Sequence, residues 1–204
     1  MSRVRVKVWG DLACFTRPDL KAERQSYPVM TPSAARGILD AICWRPSMFW
    51  AVRSIAVLRP IRFIGFRRNE VTVKAGVRMI PIVADDVRAQ RFTLALRDVA
   101  YLIEADARLT PKATPGETPQ KFAAMFERRV AKGQCFTQPS LGLRECAAFF
   151  APDDGEAPIE VDQDLGTMLH DLCYGDTTEA RFFAARLERG VLRVPDPVWM
   201  NTAS

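Results

Sequence analysis

A strict alternation of apolar and basic residues opens the chain. In the segment RVRVKVW, residues 3–9, the side chains of Val4, Val6 and Val8 share one face and the basic side chains share the other. Because successive side chains of a strand point to opposite faces, this segment predicts a half-buried β-strand with a basic outer face. Residues 10–30 are rich in polar and basic side chains and contain two prolines, which predicts a loop.

Two segments begin with the same helix signal. Thr31 and Thr118 are suitable N-cap residues, and each precedes a proline whose missing N–H costs no helical hydrogen bond at the first position. Gly133 predicts the end of the second helix. In the first helix, residues at helical spacing predict a buried stripe, formed by Ala34, Ile38, Ala41 and Ile42.

The middle of the chain predicts two long strands. Residues 53–66 predict one strand with an irregularity at Pro60, and residues 67–71 predict a turn or loop. Residues 91–105 alternate as far as Leu96 and then change phase, which predicts a strand with a β-bulge.

The last third of the chain adds further strands. Residues 143–150 predict one strand, and residues 179–195 predict a hairpin that turns near Gly190. Up to residue 150 the predicted order is β-α-β-β-α-β, which is the order of ferredoxin-like domains, including RRM-like ones. We therefore predict an α+β protein with a ferredoxin-like domain over residues 1–150 and a C-terminal β-strand extension over 151–204 packed on it.

Composition narrows the classes of function. The 204 residues are 48% hydrophobic and 26% charged, which suits one domain with an appendage. His170 is the only histidine, so chemistry that needs two histidines and multi-histidine metal sites are excluded. The five cysteines form no C-x-x-C pair, so we expect no zinc site, no designed disulfide and no cofactor.

The start of the chain lacks the continuous apolar core of a secretory signal, and no run approaches the roughly 18 apolar residues of a membrane span. We therefore expect a reduced, cytoplasmic protein without a membrane partner. Its 29 lysines and arginines exceed 24 acids, and the net charge of +5 only weakly favours a polyanionic partner.

Cations are concentrated in the segment KFAAMFERRVAKGQCF. At about 100° per helical residue, Lys121, Arg128 and Lys132 lie near one line, whereas Phe122 and Phe126 lie on a separate face. The phenylalanines are thus predicted to anchor the helix in the core. The cations form a ridge that can follow successive phosphates, although a solvated helix face without a ligand is the alternative.

Five segments carry a specific similarity: CFTRPDLKAERQSYPVMTPSAARGILDAICWRP, VLRPIRFIGFRRNEV, KFAAMFERRVAKGQCFTQPSLGLREC, DLGTMLHDLCYGD and LERGVLRVP. Together they resemble, along almost the whole chain, the CRISPR-associated family five proteins of type I-C systems, the Dvulg subtype. This resemblance implies a ferredoxin-like member of the repeat-associated mysterious protein group. Such proteins bind the hairpin repeat of precursor CRISPR RNA, cut it without a metal ion and stay on the 5′ handle. They cap the surveillance complex beside its backbone and large subunits, where contact with target DNA is a further possibility.

The resemblance also implies a catalytic set. Cleavage by the neighbouring 2′-OH needs a base, a cation near the phosphate and an acid, and it leaves a 2′,3′-cyclic phosphate. The family uses a tyrosine at the end of the first helix and a Lys-His pair at the start of the second. Here Lys121 matches the lysine, whereas Cys43 and Phe122 occupy the tyrosine and histidine positions. Tyr27 and His170 are further catalytic candidates, although a buried cysteine and a histidine bonded to a backbone carbonyl are the structural alternatives.

The candidate RNA-binding side chains are dispersed along the chain. Each arginine can hold a phosphate with two hydrogen bonds. Arg129 could instead pair with Glu145 or Glu127, and Trp44 and Trp50 are expected to pack against the sheet. The predicted RNA-binding residues are Arg17, Lys21, Arg24, Arg67, Arg68, Arg128, Arg129 and Lys132.

Three functions remain as hypotheses. The first is a processing endoribonuclease that is also a complex subunit, and the second is a non-catalytic cap that binds the RNA handle. The substitutions at Cys43 and Phe122 favour the cap, whereas Lys121 and its basic helix favour the nuclease, which we expect. The third is a ferredoxin-like enzyme for a small phosphate ester, against which the dispersed arginines argue.

Overall fold

A computed structural model describes residues 2–20, 23–71, 88–174 and 178–197. These ranges form a mixed α/β protein with two helices and nine strands. The elements are β1 (Ser2–Ala13), β2 (Arg24–Gln25), α1 (Pro32–Ile42), β3 (Met48–Val57), β4 (Phe63–Val71), β5 (Arg88–Leu109), α2 (Pro119–Ala131), β6 (Phe149–Ala151), β7 (Gln163–Tyr174), β8 (Thr178–Glu188) and β9 (Val191–Arg193).

One large, mostly antiparallel sheet organises the chain. Its strand order is β6-β1-β5-β3-β9-β8-β7, and β2 and β4 pair with β5 off this path. Helix α2 packs on β1 and β5, whereas α1 packs on β3 and β7. The apolar core lies between the helices and the sheet. Neither helix of the described ranges is long and apolar enough to cross a membrane.

The alternating start of the chain forms a strand, as predicted. Val4, Val6 and Val8 are buried, whereas Arg3 and Arg5 are exposed on the other face. The strand continues to residue 13 because β1 pairs with β5 along almost its whole length.

Both helix starts are confirmed. The Thr31 hydroxyl accepts a hydrogen bond from the backbone N–H of Ala34 (3.3 Å), and the Thr118 hydroxyl accepts one from Lys121 (3.2 Å). In each case proline takes the first helical position. The predicted stripe of α1 is half right, since Ala34 and Ala41 are only half-buried. The residues that α1 buries are Pro32, Ala35, Ile38, Leu39 and Ile42.

The predicted strand over residues 53–66 is wrong as a single element. It is divided between β3, which ends at Val57, and β4, which begins at Phe63. Residues 67–71, predicted as a turn, belong to β4. This strand has no buried face, so it lacks the apolar alternation that reveals a strand, and its pairing with β5 forms it instead.

The phase change in residues 91–105 is confirmed. Leu96 and Val99 are both buried, and Asp98 between them has a positive φ of 52°. Two buried positions three residues apart cannot lie on one face of a regular strand. The irregularity at Asp98 therefore allows Leu96 before it and Val99 after it both to point into the protein.

The predicted strand over residues 143–150 is largely wrong. Only Phe149 and Phe150 of that segment belong to β6. Before them the chain forms a turn, in which Cys146 donates its N–H to Leu143 (2.9 Å) and accepts from Leu141 (2.7 Å).

The predicted C-terminal hairpin is confirmed as β8 and β9. Its turn contains Arg189 and Gly190, both with positive φ. A Cβ on Gly190 would lie 2.2 Å from the carbonyl oxygen of Ile159, so only glycine fits. Strand β9 pairs with β3, with Leu192 opposite Ile55, and this joins the C-terminal strands to the main sheet.

Candidate nucleic-acid interface

The C-terminal end of α1 is the point where several segments meet. The last carbonyl groups of a helix have no partner within the helix. Here other segments supply the donors, and this fixes the ends of α1 and α2 and the segment after α2 against one another. The backbone N–H of Phe136 donates to the carbonyl of Ala41 (2.8 Å), and the Arg129 guanidinium donates to that of Ile42 (2.7 Å). The Trp50 indole donates to the carbonyl of Cys43 (2.8 Å).

Unpaired cations surround this junction. Arg45 follows α1, and Arg128 and Lys132 lie on the last turns of α2. All three are exposed. None of them forms an ion pair with an acid in the part of the chain that the structure describes, so their charges are available to a phosphate backbone.

Two large aromatic side chains are exposed on the segments that meet at this junction. Trp44 is 55% exposed and Phe136 is 80% exposed. The expectation that Trp44 packs against the sheet is therefore wrong, whereas Trp50 is buried as expected. We call Trp44, Arg45, Arg128, Lys132 and Phe136 the α1–α2 end surface.

Lys121 lies at the opposite end of α2. It is exposed in the first turn, close to the carboxylate of Glu117. The pKa of Glu117 is below its ordinary value because the backbone N–H of Thr114 and the hydroxyl of Ser47 donate to it, with a smaller contribution from Lys121. The lysine is thus free to approach a bound phosphate, while its acidic neighbour remains ionised.

Cys43 and Phe122 are structural residues. Cys43 is only 1% exposed, and burial raises the pKa of its thiol, an effect that the nearby Arg129 offsets only in part. The thiol is thus protonated near neutral pH and is no base. Phe122 is 2% exposed and belongs to the core, together with Phe126, as the helical spacing predicts.

Tyr27 and His170 are also buried, at 3% and 4% exposure. Burial raises the pKa of Tyr27, and the Arg17 guanidinium lies 5.8 Å from its ring centroid. The Nε2 atom of His170 lies 2.9 Å from the carbonyl oxygen of Pro195, which is the structural alternative named from the sequence. Tyr27, on the loop before α1, is hydrogen-bonded to the backbone of Leu169, which precedes His170 on β7. Lys121 lies on a different element, in the first turn of α2.

Several predicted RNA-binding arginines are held by acids. Arg17 pairs with Asp19 at 3.0 Å. Arg24 and Arg68 converge on the carboxylate of Glu70, at 3.6 and 2.6 Å. These contacts reduce the positive charge that each arginine offers to a phosphate.

The remaining predicted cations have different surroundings. Arg129 donates to the carbonyl of Ile42, and among the described ion pairs there is none between it and Glu145 or Glu127, the alternative named from the sequence. Arg67 is exposed on β4. Lys21 lies outside the described residues. Of the predicted set, Arg128 and Lys132 belong to the α1–α2 end surface, and Arg129 bonds to the end of α1 at the same junction.

The basic outer face of β1 is neutralised within the chain. Arg5 pairs with Asp153 at 3.0 Å, and Lys7 pairs with Asp154 and Glu156 at 2.6 Å each. These acids belong to the segment that follows β6. The alternating basic residues at the start of the chain therefore contribute little to a nucleic-acid surface.

A groove of about 870 Å³ runs beside α1. Its walls include the hydroxyl groups of Thr16, Ser33 and Thr137 and the side chain of Arg144. Gly142, with a φ of 89°, lets this wall approach β1, since a Cβ there would lie 2.1 Å from the carbonyl oxygen of Cys14.

Within the described ranges, no three histidine, cysteine or acidic side chains are grouped so that they could hold a metal ion.

Comparison with known proteins identifies the class. Residues 4–195 match the family model described as CRISPR-associated protein (Cas_Cas5), so the chain belongs to this family. The resemblance stated from the sequence is thereby confirmed.

Individual members of this family show which proteins the chain is similar to. The chain is 47% identical to the CRISPR pre-crRNA endoribonuclease Cas5d of Mannheimia succiniciproducens, over 95% of each chain. It is 46% identical to the protein of the same name from Thermus thermophilus, over 96% of this chain and 92% of that one. A solved structure described as a CRISPR-associated protein is 26% identical, with a TM-score of 0.72 over 95% of this chain and 91% of that one.

Proposed function

We propose that this chain is a metal-independent endoribonuclease that cleaves the repeat hairpin of precursor CRISPR RNA. It then remains on the 5′ handle as a subunit of the type I-C surveillance complex, beside the backbone and large subunits. The observation that carries this proposal is the identity of 46–47%, almost from end to end, with two proteins named pre-crRNA endoribonucleases.

The charge distribution supports RNA as the ligand. Arg45, Arg128 and Lys132 are exposed and unpaired among the described residues, whereas the basic face of β1 is neutralised. An extended ligand with repeated phosphates fits such separated cations better than a small phosphate ester does.

The proposed architecture is a ferredoxin-like core with a C-terminal extension that begins after residue 150. Support comes from the strand order β6-β1-β5-β3, in which two strands of the predicted β-α-β-β-α-β unit lie between the other two. The extension is tied to the core by the β9–β3 pairing and by the contact of Arg36 with Asp171.

In the proposed reaction, the 2′-OH next to the cleaved bond attacks the phosphorus, and the 5′-oxygen of the following nucleotide leaves. The product is a 2′,3′-cyclic phosphate. Lys121 stabilises the negative charge that develops on the phosphate, and this role needs only its exposed ammonium group. Attack and departure also need proton transfers.

A specific observation favours the second candidate function, a non-catalytic cap on the RNA handle. The two residues at substituted catalytic positions, Cys43 and Phe122, and the two further candidates, Tyr27 and His170, are at most 4% exposed. A buried side chain cannot reach a 2′-OH without a rearrangement of the core. On this alternative the chain binds the handle tightly and another nuclease makes the guide.

Cleavage of the cognate repeat RNA in excess EDTA separates the two candidates. The nuclease is supported if the protein cuts the RNA and if both Lys121→Ala and a 2′-deoxy nucleotide at the cleaved bond stop the reaction. Lys112→Ala, which removes another exposed lysine, is the matched control and should cut normally. Tight binding without cleavage refutes the nuclease and supports the cap.

A further inference from the structure

We propose that Trp44 and Phe136 form a stacking platform for unpaired RNA bases on the α1–α2 end surface. This inference rests on the proposed RNA-binding function and adds to it a recognition element that the charged residues do not provide. Trp44 is 55% exposed and Phe136 is 80% exposed, so the described part of the chain covers less than half of each residue. The two phenylalanines of α2, Phe122 and Phe126, are by contrast buried.

The backbone on both sides of the platform is firmly held. The N–H groups of Phe136 and Thr137 both donate to the carbonyl of Ala41, at 2.8 and 3.2 Å. The residue before Trp44, Cys43, donates its N–H to Leu39 at 2.8 Å. Because the backbone that carries the two rings is fixed before binding, it loses little conformational entropy when a base stacks on them.

The charge around the rings selects the kind of ligand. Arg45, Arg128 and Lys132 are exposed and form no ion pair with described residues. An apolar partner would have to cover these cations without balancing their charge. Unpaired RNA supplies both a phosphate backbone and flat base faces, and aromatic stacking with cationic contacts is the usual way in which proteins hold it.

Duplex RNA does not fit the platform in the same way. In a helix the faces of the bases are stacked on one another and are not available to a protein ring. We therefore assign the platform to single-stranded nucleotides that flank the repeat hairpin.

A second exposed aromatic pair serves as an internal comparison. Trp9 and Phe149 stack on each other with centroids 6.1 Å apart. The neighbouring cation on β1, Lys7, is already paired with Asp154 and Glu156. Phe149 is 54% exposed, so Phe149→Ala removes an exposed ring whose neighbouring cation is already paired.

The test is binding of the repeat RNA with 2-aminopurine at each unpaired position that flanks the stem. Affinity is measured by fluorescence anisotropy at several salt concentrations. Trp44→Ala and Phe136→Ala should each weaken binding by about 5- to 150-fold, which corresponds to the loss of one stacked base. The wild type should quench 2-aminopurine at one flanking position at least, and each variant should lose that quenching. Phe149→Ala should leave both readouts unchanged.

Salt dependence distinguishes stacking from charge. The aromatic variants should keep the wild-type slope of log affinity against log salt, because they remove no cation. Arg128→Ala should make that slope shallower by about 0.7. Phe136→Tyr should retain affinity and Phe136→Leu should lose it, while unchanged melting temperatures show that the variants are folded.

The outcomes separate the inference from the function on which it rests. If the wild type does not bind the repeat RNA, both are wrong. If the wild type binds and neither aromatic substitution changes affinity or quenching, the platform is wrong and the RNA-binding function stands. If the substitutions change self-association of the protein instead of RNA binding, the surface is an interface between copies and the inference is overturned.

Discussion

The substitution Arg36→Ala should destabilise the protein strongly, because Arg36 joins α1 to the C-terminal strands. Its guanidinium donates two hydrogen bonds to the carboxylate of Asp171 on β7, at 2.7 and 2.8 Å. The Asp171 side chain is 4% exposed. Two parallel, charge-assisted hydrogen bonds to a buried carboxylate are among the stronger polar interactions in proteins.

The expected loss of stability depends on the surroundings of the Asp171 carboxylate once Arg36 is removed. Asp171 would keep the hydrogen bond from the backbone N–H of Leu172 (2.8 Å) but would lose its countercharge. Breaking a buried ion pair costs about 3–5 kcal/mol. The Arg36 side chain is 24% exposed, so we expect the lower end, about 3 kcal/mol. For a chain of this size that lowers the melting temperature by roughly 6–12 °C.

Urea unfolding at pH 7, followed by circular dichroism, measures the effect. Arg36→Lys keeps the charge but not the paired hydrogen bonds, so it should lose less stability than Arg36→Ala. Replacing both partners, as Arg36→Ala with Asp171→Leu, should recover part of the loss, because the more buried of the two carboxylates that Arg36 pairs with is then gone and only Asp40 is left without its partner. A loss below about 1 kcal/mol for Arg36→Ala would show that the carboxylate is solvated and would refute the reasoning.

Two further predictions concern single residues. Gly142→Ala should lower the free energy of unfolding by more than about 2 kcal/mol in thermal denaturation, because φ is 89° and the new Cβ would meet the carbonyl of Cys14 at 2.1 Å. Burial raises the pKa of Asp40 to about 6, although Arg36 opposes the shift. Since the folded state then binds the proton more tightly than the unfolded state, this group makes stability fall as pH rises from about 4 to 6. Urea midpoints of Asp40→Asn should show a smaller decline over that range.

Local chemistry explains which parts of the fold could be predicted. Thr31 and Thr118 cap their helices through bonds to residues three positions later, so the signal and the structure lie within one turn. Strand β4 has no comparable local signal. It is stabilised by backbone pairing with β5, and none of its side chains is buried. A pattern of hydrophobic residues cannot reveal a strand whose faces are both accessible to solvent.

The candidate site was predictable only where helical geometry applies. The exposed positions of Arg128 and Lys132 and the buried position of Phe126 follow from the spacing along α2. Helix α2 ends at Ala131, and Phe136 lies beyond it. Helical spacing therefore gives no information about the exposure of Phe136. The convergence of Arg24 and Arg68 on Glu70 joins distant parts of the chain and depends on tertiary structure.

The proposed RNA cleavage and the proposed base stacking lie at opposite ends of α2. Lys121 is in its first turn and Lys132 at its C-cap, eleven residues or about 16 Å apart along the axis. A phosphate held by Lys121 is therefore not the phosphate that Arg128 and Lys132 hold, and the RNA must extend along the helix to engage both ends. Cleavage and binding should consequently be separable by substitution. Loss of Lys121 removes charge stabilisation at one phosphate only, whereas loss of Trp44 or Phe136 weakens the hold on the flanking nucleotides and leaves the cleaved phosphate with its lysine.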